Sequence, residues 1–267
     1  MTSTQTTAPL HLEADLTTLC LPTMAKNWER LAEEARRGRR SHAEYLCDLA
    51  SLEVAGRRER RIARRIQDAH FPVLKTLDAF DFSAQPAVDK QAVLELARCE
   101  FLADAQNVVL VGPVGTGKTH VAIALGIAAC QLERRVRYTT AAELTNALVE
   151  AKQEGRLSRK LEQFARFDLV ILDELGYVPF DKAGADLLFG FITKVYERKS
   201  LVVTTNLAFA KWAQVFLDAT AAAAVIDRIV HHATVLKTDG PSYRLKAAEQ
   251  RGRRRKAAPP QNEETRD

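Results

Sequence analysis

The sequence lacks the features that mark secreted, membrane-spanning or metal-stabilised proteins. Its four cysteines have no spacing typical of a metal site and lie mostly in apolar helical patterns, so we expect buried, reduced thiols in a cytoplasmic protein. Residues 1–9 are rich in threonine and have neither the basic start nor the apolar core of a secretory signal. No apolar run approaches the length of a membrane span, and we expect no membrane partner.

Acidic residues are scarce where arginines cluster. The net charge is only +5, so the distribution of charge is more informative than its sum. Within residues 57–65 a single acidic residue, Glu59, stands among six arginines, and residues 251–256 form a second basic cluster. Such patches bind nucleic-acid phosphates by charge, although a solvated helical face and a solubilising tail are the alternatives. We assign DNA contact to five of these side chains, Arg57, Arg58, Arg61, Arg64 and Arg65.

The apolar pattern divides the chain into four parts. We expect residues 1–9 to be disordered, 10–72 to form a small basic all-α domain, 73–250 to form an α/β domain and 251–267 to be a disordered basic tail. In the second part, Gly38 is expected to end one helix, and Ser41 with Glu44 forms a capping box for the next. Residues 77–82 are expected to form a short extended linker, and residues 90–102 a helix.

Apolar strands alternate with helical patterns in the third part. The predicted strands are residues 107–111, 136–140, 168–172, 200–205 and 233–237, and an amphipathic helix is expected over 184–198. This alternation predicts a parallel sheet with helices on both faces.

The first predicted strand leads into a phosphate-binding loop, Gly-Pro-Val-Gly-Thr-Gly-Lys-Thr. Glycines allow the backbone to turn N–H groups toward a phosphate, and the helix that follows directs its positive end at the same group. Lys118 supplies a cation for the phosphates, and the Thr119 hydroxyl can ligate Mg²⁺. The predicted ATP-binding residues are Gly112, Pro113, Val114, Gly115, Thr116, Gly117, Lys118, Thr119 and His120.

Two further strands end in polar residues that suit nucleotide hydrolysis. Asp173 and Glu174 follow a buried strand, where Asp173 is placed to hold Mg²⁺ and Glu174 to polarise the attacking water. A solvated acidic turn is the alternative. Asn206 follows another strand and can bind the water or the γ-phosphate, although asparagine is also common in turns. The predicted metal ligands are thus Thr119 and Asp173, and Glu174, Asp173, Lys118 and Asn206 are predicted to be catalytic.

An arginine follows on an apolar helix. Arg228 can act on the γ-phosphate bound by a neighbouring copy, or it can pair locally with Asp227. Arg244 is a second candidate for a nucleotide or subunit contact. Metal binding by His231 and His232 is not expected, because adjacent side chains on a helix diverge and no acidic partner is near in sequence.

These residues, in this order, resemble the IstB-like family of ATPase helper proteins in bacterial insertion-sequence transposition. Besides the nucleotide motifs, the resemblance includes Leu-Asp-Glu-Leu-Gly-Tyr at 172–177, Thr-Thr-Asn-Leu at 204–207, Asp-Arg-Ile-Val-His-His at 227–232 and Ser-Tyr-Arg at 242–244. It covers about residues 10–250. The family belongs to the AAA+ ATPases, in the branch that contains the DnaA initiator and the DnaC helicase loader.

The resemblance implies a five-stranded parallel sheet and an ATP site shared between subunits of a ring or helical oligomer. It implies ATP and Mg²⁺ as ligands, with duplex DNA and a cognate transposase as partners. Carried over residue by residue, Asn206 senses the γ-phosphate, Arg228 is the trans-acting arginine, and Phe80 and Phe82 lie near the adenine. Only 23 residues follow Arg244, too few for a full C-terminal helical lid.

Three other functions fit parts of the pattern. A DnaC-like helicase loader has the same fold but engages a replicative helicase and prefers single-stranded DNA. A small-molecule kinase needs a substrate pocket and an arginine-rich lid, and tandem Asp173-Glu174 with Asn206 favours water activation instead. A nucleotide-dependent protein without hydrolysis does not need Glu174.

Overall fold

Three helices make up the first part of the chain. The computed structural model describes residues 8–177, 179–243 and 245, and these divide into two compact units, the first ending at Arg64 and the second beginning at Arg65. The helices are α1 (Ala8–Thr18), α2 (Pro22–Arg37) and α3 (His42–Asp68), the last of which continues past the boundary. Two residues of the segment expected to be disordered, Ala8 and Pro9, therefore belong to α1.

Few of the described side chains of the first unit are buried, so polar contacts contribute to its stability. The buried ones are Leu16, Ala35, Leu49 and Glu53. Ser41 caps α3 as expected: its Oγ accepts from Glu44 N at 3.3 Å, and Glu44 Oε2 accepts from Ser41 N at 2.7 Å.

The second unit contains a five-stranded sheet in which every paired strand is parallel. Its strands are β1 (Asn107–Val111), β2 (Val136–Thr140), β3 (Leu169–Leu175), β4 (Ser200–Thr205) and β5 (Ala233–Lys237). Their order across the sheet is β2-β3-β4-β1-β5, and all four pairs run in the same direction. Four predicted strands have the observed bounds, and the third continues to Leu175 because an irregularity after Leu172 allows Leu175 to pair with Thr205.

Helices cover both faces of the sheet, as expected for strands linked by crossovers. One core cluster contains Val108, Leu110 and most of α5, and the other contains Val109, Leu172 and the apolar side of α8. The helices are α4 (Lys90–Ala97), α5 (Lys118–Gln131), α6 (Ala141–Gln153), α7 (Leu157–Phe164), α8 (Lys182–Val195), α9 (Ala213–Phe216) and α10 (Ala219–Val230). No helix among the described residues is both long enough and apolar enough to cross a bilayer.

Local details also differ from the predictions, and the amphipathic helix expected over 184–198 spans Lys182–Val195. The helix expected over 90–102 ends at Ala97, because Cys99 takes a left-handed conformation (φ 57°) before a short 3₁₀ turn. Residues 77–82 form a series of turns instead of an extended linker, and Phe80 within them is buried. Cys99 and Cys130 are buried, but Cys20 and Cys47 are exposed, so the expectation of buried thiols is wrong for these two.

Candidate nucleotide site

The phosphate-binding loop joins β1 to α5 and has room for backbone only. Gly115 and Gly117 have φ values of 82° and 94°, in the left-handed region that favours glycine. A Cβ on Gly117 would lie 2.6 Å from the Phe80 ring, and one on Gly112 would lie 1.8 Å from the carbonyl oxygen of Thr238. Larger residues at 112 and 117 would therefore displace the loop from the segments packed against it.

Lys118 is held at the first turn of α5 and points back over the loop. Its side chain is 5% exposed, and Nζ donates to the carbonyl oxygens of Gly112 at 2.7 Å and Pro113 at 2.6 Å. These contacts fix the ammonium group above the loop, where a bound phosphate can compete for it. The cation thus lies where the sequence motif predicts it.

Asp173 lies in β3 and accepts hydrogen bonds from three hydroxyl groups. Tyr138 in β2 donates to Oδ2 at 2.6 Å, Thr119 donates to Oδ1 at 3.1 Å, and Thr204 in β4 also donates to Oδ1. The carboxylate is 1% exposed, so these donors replace the water that would otherwise solvate it. Thr119 and Asp173, predicted as metal ligands from distant parts of the sequence, are therefore in direct contact.

Glu174 takes a different orientation from its neighbour because the strand is irregular here. Its φ is 61°, and its N–H donates to Thr204 Oγ1 at 3.0 Å. Its side chain is exposed and lines the same cavity as Lys118 and Thr119. One threonine hydroxyl, that of Thr204, thus contacts both consecutive acidic residues: it donates to the buried Asp173 carboxylate and accepts from the N–H of Glu174, whose side chain lines the cavity.

Asn206 follows β4 at the same edge of the sheet. Its Oδ1 is buried and has no hydrogen-bond partner. Among the described residues, only one other buried side-chain atom lacks a partner, Gln85 Oε1, and Gln85 lines the cavity beside the loop. Buried polar atoms are nearly always satisfied in folded proteins, so two unsatisfied acceptors in this region indicate a ligand or water that donates to them.

The cavity beside the loop has a volume of about 340 Å³. Phe80 lines it and contacts His120 edge to face, with ring centroids 5.1 Å apart. Phe82, expected at the same place, packs against Phe80 instead and does not line the cavity. Burial lowers the pKa of His120, whose Nε2 lies 2.8 Å from the carbonyl oxygen of Thr76. Other lining side chains that the motifs did not predict are Lys75, Gln85, Tyr177 and Tyr243.

Arg228 lies at the opposite edge of the sheet. It is in the last turn of α10, where Nη1 donates to the carbonyl oxygen of Ala224 at 3.0 Å and the guanidinium lies 5.1 Å from the centroid of the Phe189 ring. Its backbone carbonyl is near the Asn107 side chain, at the start of β1. The five residues of β1 separate this end from the loop by roughly 17 Å. Arg228 does not line its own chain's cavity, and Arg244 lies outside the described residues.

The two histidines after α10 do not diverge as the sequence suggested. The ring centroids of His231 and His232 are 4.1 Å apart, because the helix ends at Val230. Glu197 completes a group whose possible ligand atoms all lie within 4.8 Å of one another. The expected divergence of the two histidines, which was the argument against metal binding, is therefore wrong. All three residues are exposed.

Three of the five predicted DNA-binding arginines, Arg57, Arg61 and Arg64, line one groove of the first unit. Arg57 and Arg60, the latter not among the predicted five, bind the buried Glu53 carboxylate at 3.1 and 3.0 Å. This carboxylate also accepts from Thr23 N and Met24 N at the start of α2. Burial opposes ionisation of Glu53, but these hydrogen bonds outweigh it and hold its pKa below the ordinary value. Arg57 thus has a structural role that the sequence did not show. Arg61 and Arg64 line an open groove in the first unit with Arg57 and Arg60, and the tail arginines lie outside the described residues.

Comparison with known proteins identifies a family of ATP-binding proteins. The sequence profile of a family described as IstB-like ATP binding protein matches residues 14–251. A Pseudomonas aeruginosa protein named as an ATP-binding protein of insertion sequence IS21 is 40% identical over 242 residues, which are 91% of each chain. A Geobacillus stearothermophilus protein with the corresponding name for IS5376 is 37% identical over 228 residues, 85% of this chain and 91% of the relative.

Solved structures share the fold at low sequence identity. The DnaC helicase loader superposes with a TM-score of 0.50 at 21% identity, over 55% of this chain and 86% of its own. DnaA from Aquifex aeolicus, in a complex with AMPPCP, superposes with a TM-score of 0.51 at 20% identity, over 72% of this chain and 58% of its own. These likenesses show that the chain shares its fold with these proteins.

Proposed function

The chain belongs to the family of IstB-like ATP-binding proteins, and from this premise we propose that it hydrolyses ATP and regulates a transposase on duplex DNA. The observation that carries the proposal is the contact between Thr119 and Asp173, beside Lys118 and with Glu174 lining the same cavity. A site that only stored a nucleotide would not need an exposed carboxylate at that cavity.

The donor set fits Mg²⁺, which prefers oxygen ligands and keeps several waters. Thr119 and Asp173 are the residues that would hold it, and the ion would neutralise charge on the phosphates. Lys118 binds phosphate oxygens, and the loop N–H groups orient them. Glu174 accepts a proton from the attacking water, while Asn206 Oδ1 accepts a hydrogen bond that keeps this water in place.

The position of Arg228 supports the proposal that several copies assemble. The γ-phosphate in a P-loop site is commonly stabilised by an arginine, supplied by the same chain or by a partner. Because Arg228 lies at the far edge of the sheet from its own loop, we assign it to the nucleotide of a neighbouring copy. ATP binding would then favour a ring or helical oligomer, and hydrolysis would release it.

Duplex DNA is assigned to the arginine groove of the first unit. Arg61 and Arg64 line this groove, whereas Arg57 and Arg60 are engaged by Glu53. Phosphates of a duplex are bound by such a surface without base recognition, which suits a protein that delivers varied target DNA to a transposase.

The test is light scattering of the full chain with ATP and a duplex. Lys118→Ala should abolish the scattering increase, because the loop loses its phosphate-binding cation, and Lys194→Ala, which removes an exposed lysine of α8, should not. Assembly of Lys118→Ala at the wild-type level would contradict the proposal.

The same assay separates the DNA partners. Arg64→Ala should weaken binding to the duplex and reduce the slope of log binding constant against log salt concentration by about one. Arg30→Ala, which removes an exposed arginine paired with Glu34 in the same unit, should change neither the affinity nor this slope. A strong preference for single-stranded DNA, together with assembly that requires it, would indicate a helicase loader instead.

A further inference from the structure

Gln85 is a buried amide in the turns that precede α4. Its side chain is 2% exposed, and it borders the cavity that also contains Phe80, His120 and Tyr243. Nε2 donates to the carbonyl oxygen of Pro241 at 3.1 Å, but Oε1 has no partner. A buried acceptor without a donor is costly, by about a fivefold to hundredfold factor in an equilibrium constant, so its presence needs an explanation.

The bond to Pro241 determines which way the amide faces. A carbonyl oxygen only accepts hydrogen bonds, so Nε2 must face Pro241 and Oε1 must face away from it. Rotating the amide by half a turn would place Oε1 against the Pro241 carbonyl, two acceptors in contact. Gly240 (φ 120°) lies next to this oxygen, since a Cβ there would lie 3.7 Å from Oε1. The structure therefore presents an acceptor, and not a donor, on this side of Gln85.

The phosphate groups have a defined place in the same cavity, because Lys118 and Thr119 of the loop line it. Phe80 also lines the cavity and packs against Gly117 and His120. Aromatic side chains of this kind stack on bases. Gln85 consequently belongs to the part of the cavity that remains for the base once the phosphates are bound by the loop.

We propose that Gln85 Oε1 accepts a hydrogen bond from the exocyclic amine of adenine and thereby selects adenine over guanine nucleotides. Adenine carries a donor at this position, and guanine carries an acceptor, O6. Guanine would bring O6 against Oε1, and the Pro241 bond prevents the amide from turning to compensate. This assignment rests on the proposed function, because it names the base of the nucleotide that the same site binds.

The experiment compares ADP with purine riboside 5′-diphosphate, which lacks only the exocyclic amine, and with GDP. Binding to the full chain is measured by isothermal titration calorimetry. We expect wild-type protein to bind ADP about tenfold more tightly than the purine analogue, and to bind GDP more weakly still. In Gln85→Met, which keeps the length of the side chain without the acceptor, the ADP-to-analogue ratio should fall to about one.

Gln91→Met is the matched control, because Gln91 is an exposed glutamine of α4 whose side chain donates to Glu95, and it should keep the tenfold ratio. Equal binding of ADP and the analogue by wild-type protein would overturn the proposal, and the unpartnered oxygen would then be satisfied by water. A tenfold ratio retained in Gln85→Met would overturn it as well. If Gln85→Met does not fold, equal binding of ADP and the analogue by wild-type protein still overturns the proposal. Absence of binding by all three diphosphates would instead refute the nucleotide site, and with it the proposed function.

Discussion

The two edges of the parallel sheet differ in how complete their chemistry is. At the carboxyl edge, Thr119, Tyr138 and Thr204 surround the Asp173 carboxylate, and the phosphate-binding loop begins where β1 ends. At the amino edge, Arg228 contacts the carbonyl oxygen of Ala224 and the Phe189 ring, with no acidic group among these contacts. The carboxyl edge thus gathers the side chains of the candidate site, whereas Arg228 at the amino edge contacts a carbonyl oxygen and an aromatic ring.

Under the proposed function, this difference predicts that a single chain binds a nucleotide but hydrolyses it slowly. The carboxyl edge holds the phosphate-binding loop, the proposed metal ligands Thr119 and Asp173, and Glu174, all of which one chain supplies. Charge that develops on the γ-phosphate in the transition state needs a further cation, and an arginine is well suited to supply it. If the amino edge of one copy meets the carboxyl edge of the next, hydrolysis depends on assembly.

The largest effect is expected from removing the arginine at the amino edge. Arg228→Ala should lower the hydrolysis rate of assembled protein by about 10³-fold, the usual contribution of a trans-acting arginine, and should leave ATP affinity nearly unchanged. Steady-state phosphate release and calorimetry measure the two quantities. Asp227→Ala, at the adjacent position on the same helix, is the control. Wild-type hydrolysis by Arg228→Ala would show that the amino edge has no part in the reaction.

A smaller loss is expected at the carboxyl edge. Glu174→Gln removes the proton acceptor but keeps the size of the side chain, so hydrolysis should fall by about 10²-fold while ATP still binds. The complex with duplex DNA should consequently persist longer than that of wild-type protein in a competitor-chase experiment. Release at the wild-type rate would count against Glu174 as the base.

Mixing these two variants tests whether the edges meet. Arg228→Ala keeps an intact Glu174, and Glu174→Gln keeps an intact arginine, so a mixed oligomer contains some sites with both. Hydrolysis should therefore reappear on mixing, well above the sum of the separate activities. A mixture as inactive as its components would show that each chain completes its own site.

Much of the fold followed from the sequence because each strand is a short apolar run with a polar end. The bounds of β1, β2, β4 and β5 were predicted in this way, and Asp173 was correctly expected at a carboxyl edge. The extension of β3 was not, since it depends on a backbone irregularity and on pairing between Leu175 and Thr205. Such pairing is a property of two strands and is not visible in either one.

The site was predictable where a motif exists and not elsewhere. The residues from Gly112 to Thr119 form a local pattern, whereas Gln85 and Tyr138 act through contacts with residues 156 and 35 positions away. The ion pair of Arg57 with Glu53 could not be predicted either. The local sequence does not show whether a glutamate in an arginine-rich helix is buried or exposed. The convergence of His231 and His232 arises only because the helix ends before them.

The smallest effect is predicted for Tyr138 at the carboxyl edge, with Tyr196 at the amino edge as its control. Tyr138→Phe removes one of three hydroxyl donors to Asp173, a loss of about 1 kcal/mol. We therefore expect half-maximal hydrolysis to need a roughly fivefold higher Mg²⁺ concentration, with little change in the maximal rate. Burial raises the pKa of Tyr138, and its bond to Asp173 raises it further, so the hydroxyl stays protonated at neutral and mildly alkaline pH. The alkaline limb of the pH profile should therefore be the same in the variant and the wild type. Tyr196→Phe, at the amino edge beside His231, should leave the Mg²⁺ titration unchanged, and an equal shift in both variants would mean that Tyr138 contributes only to stability.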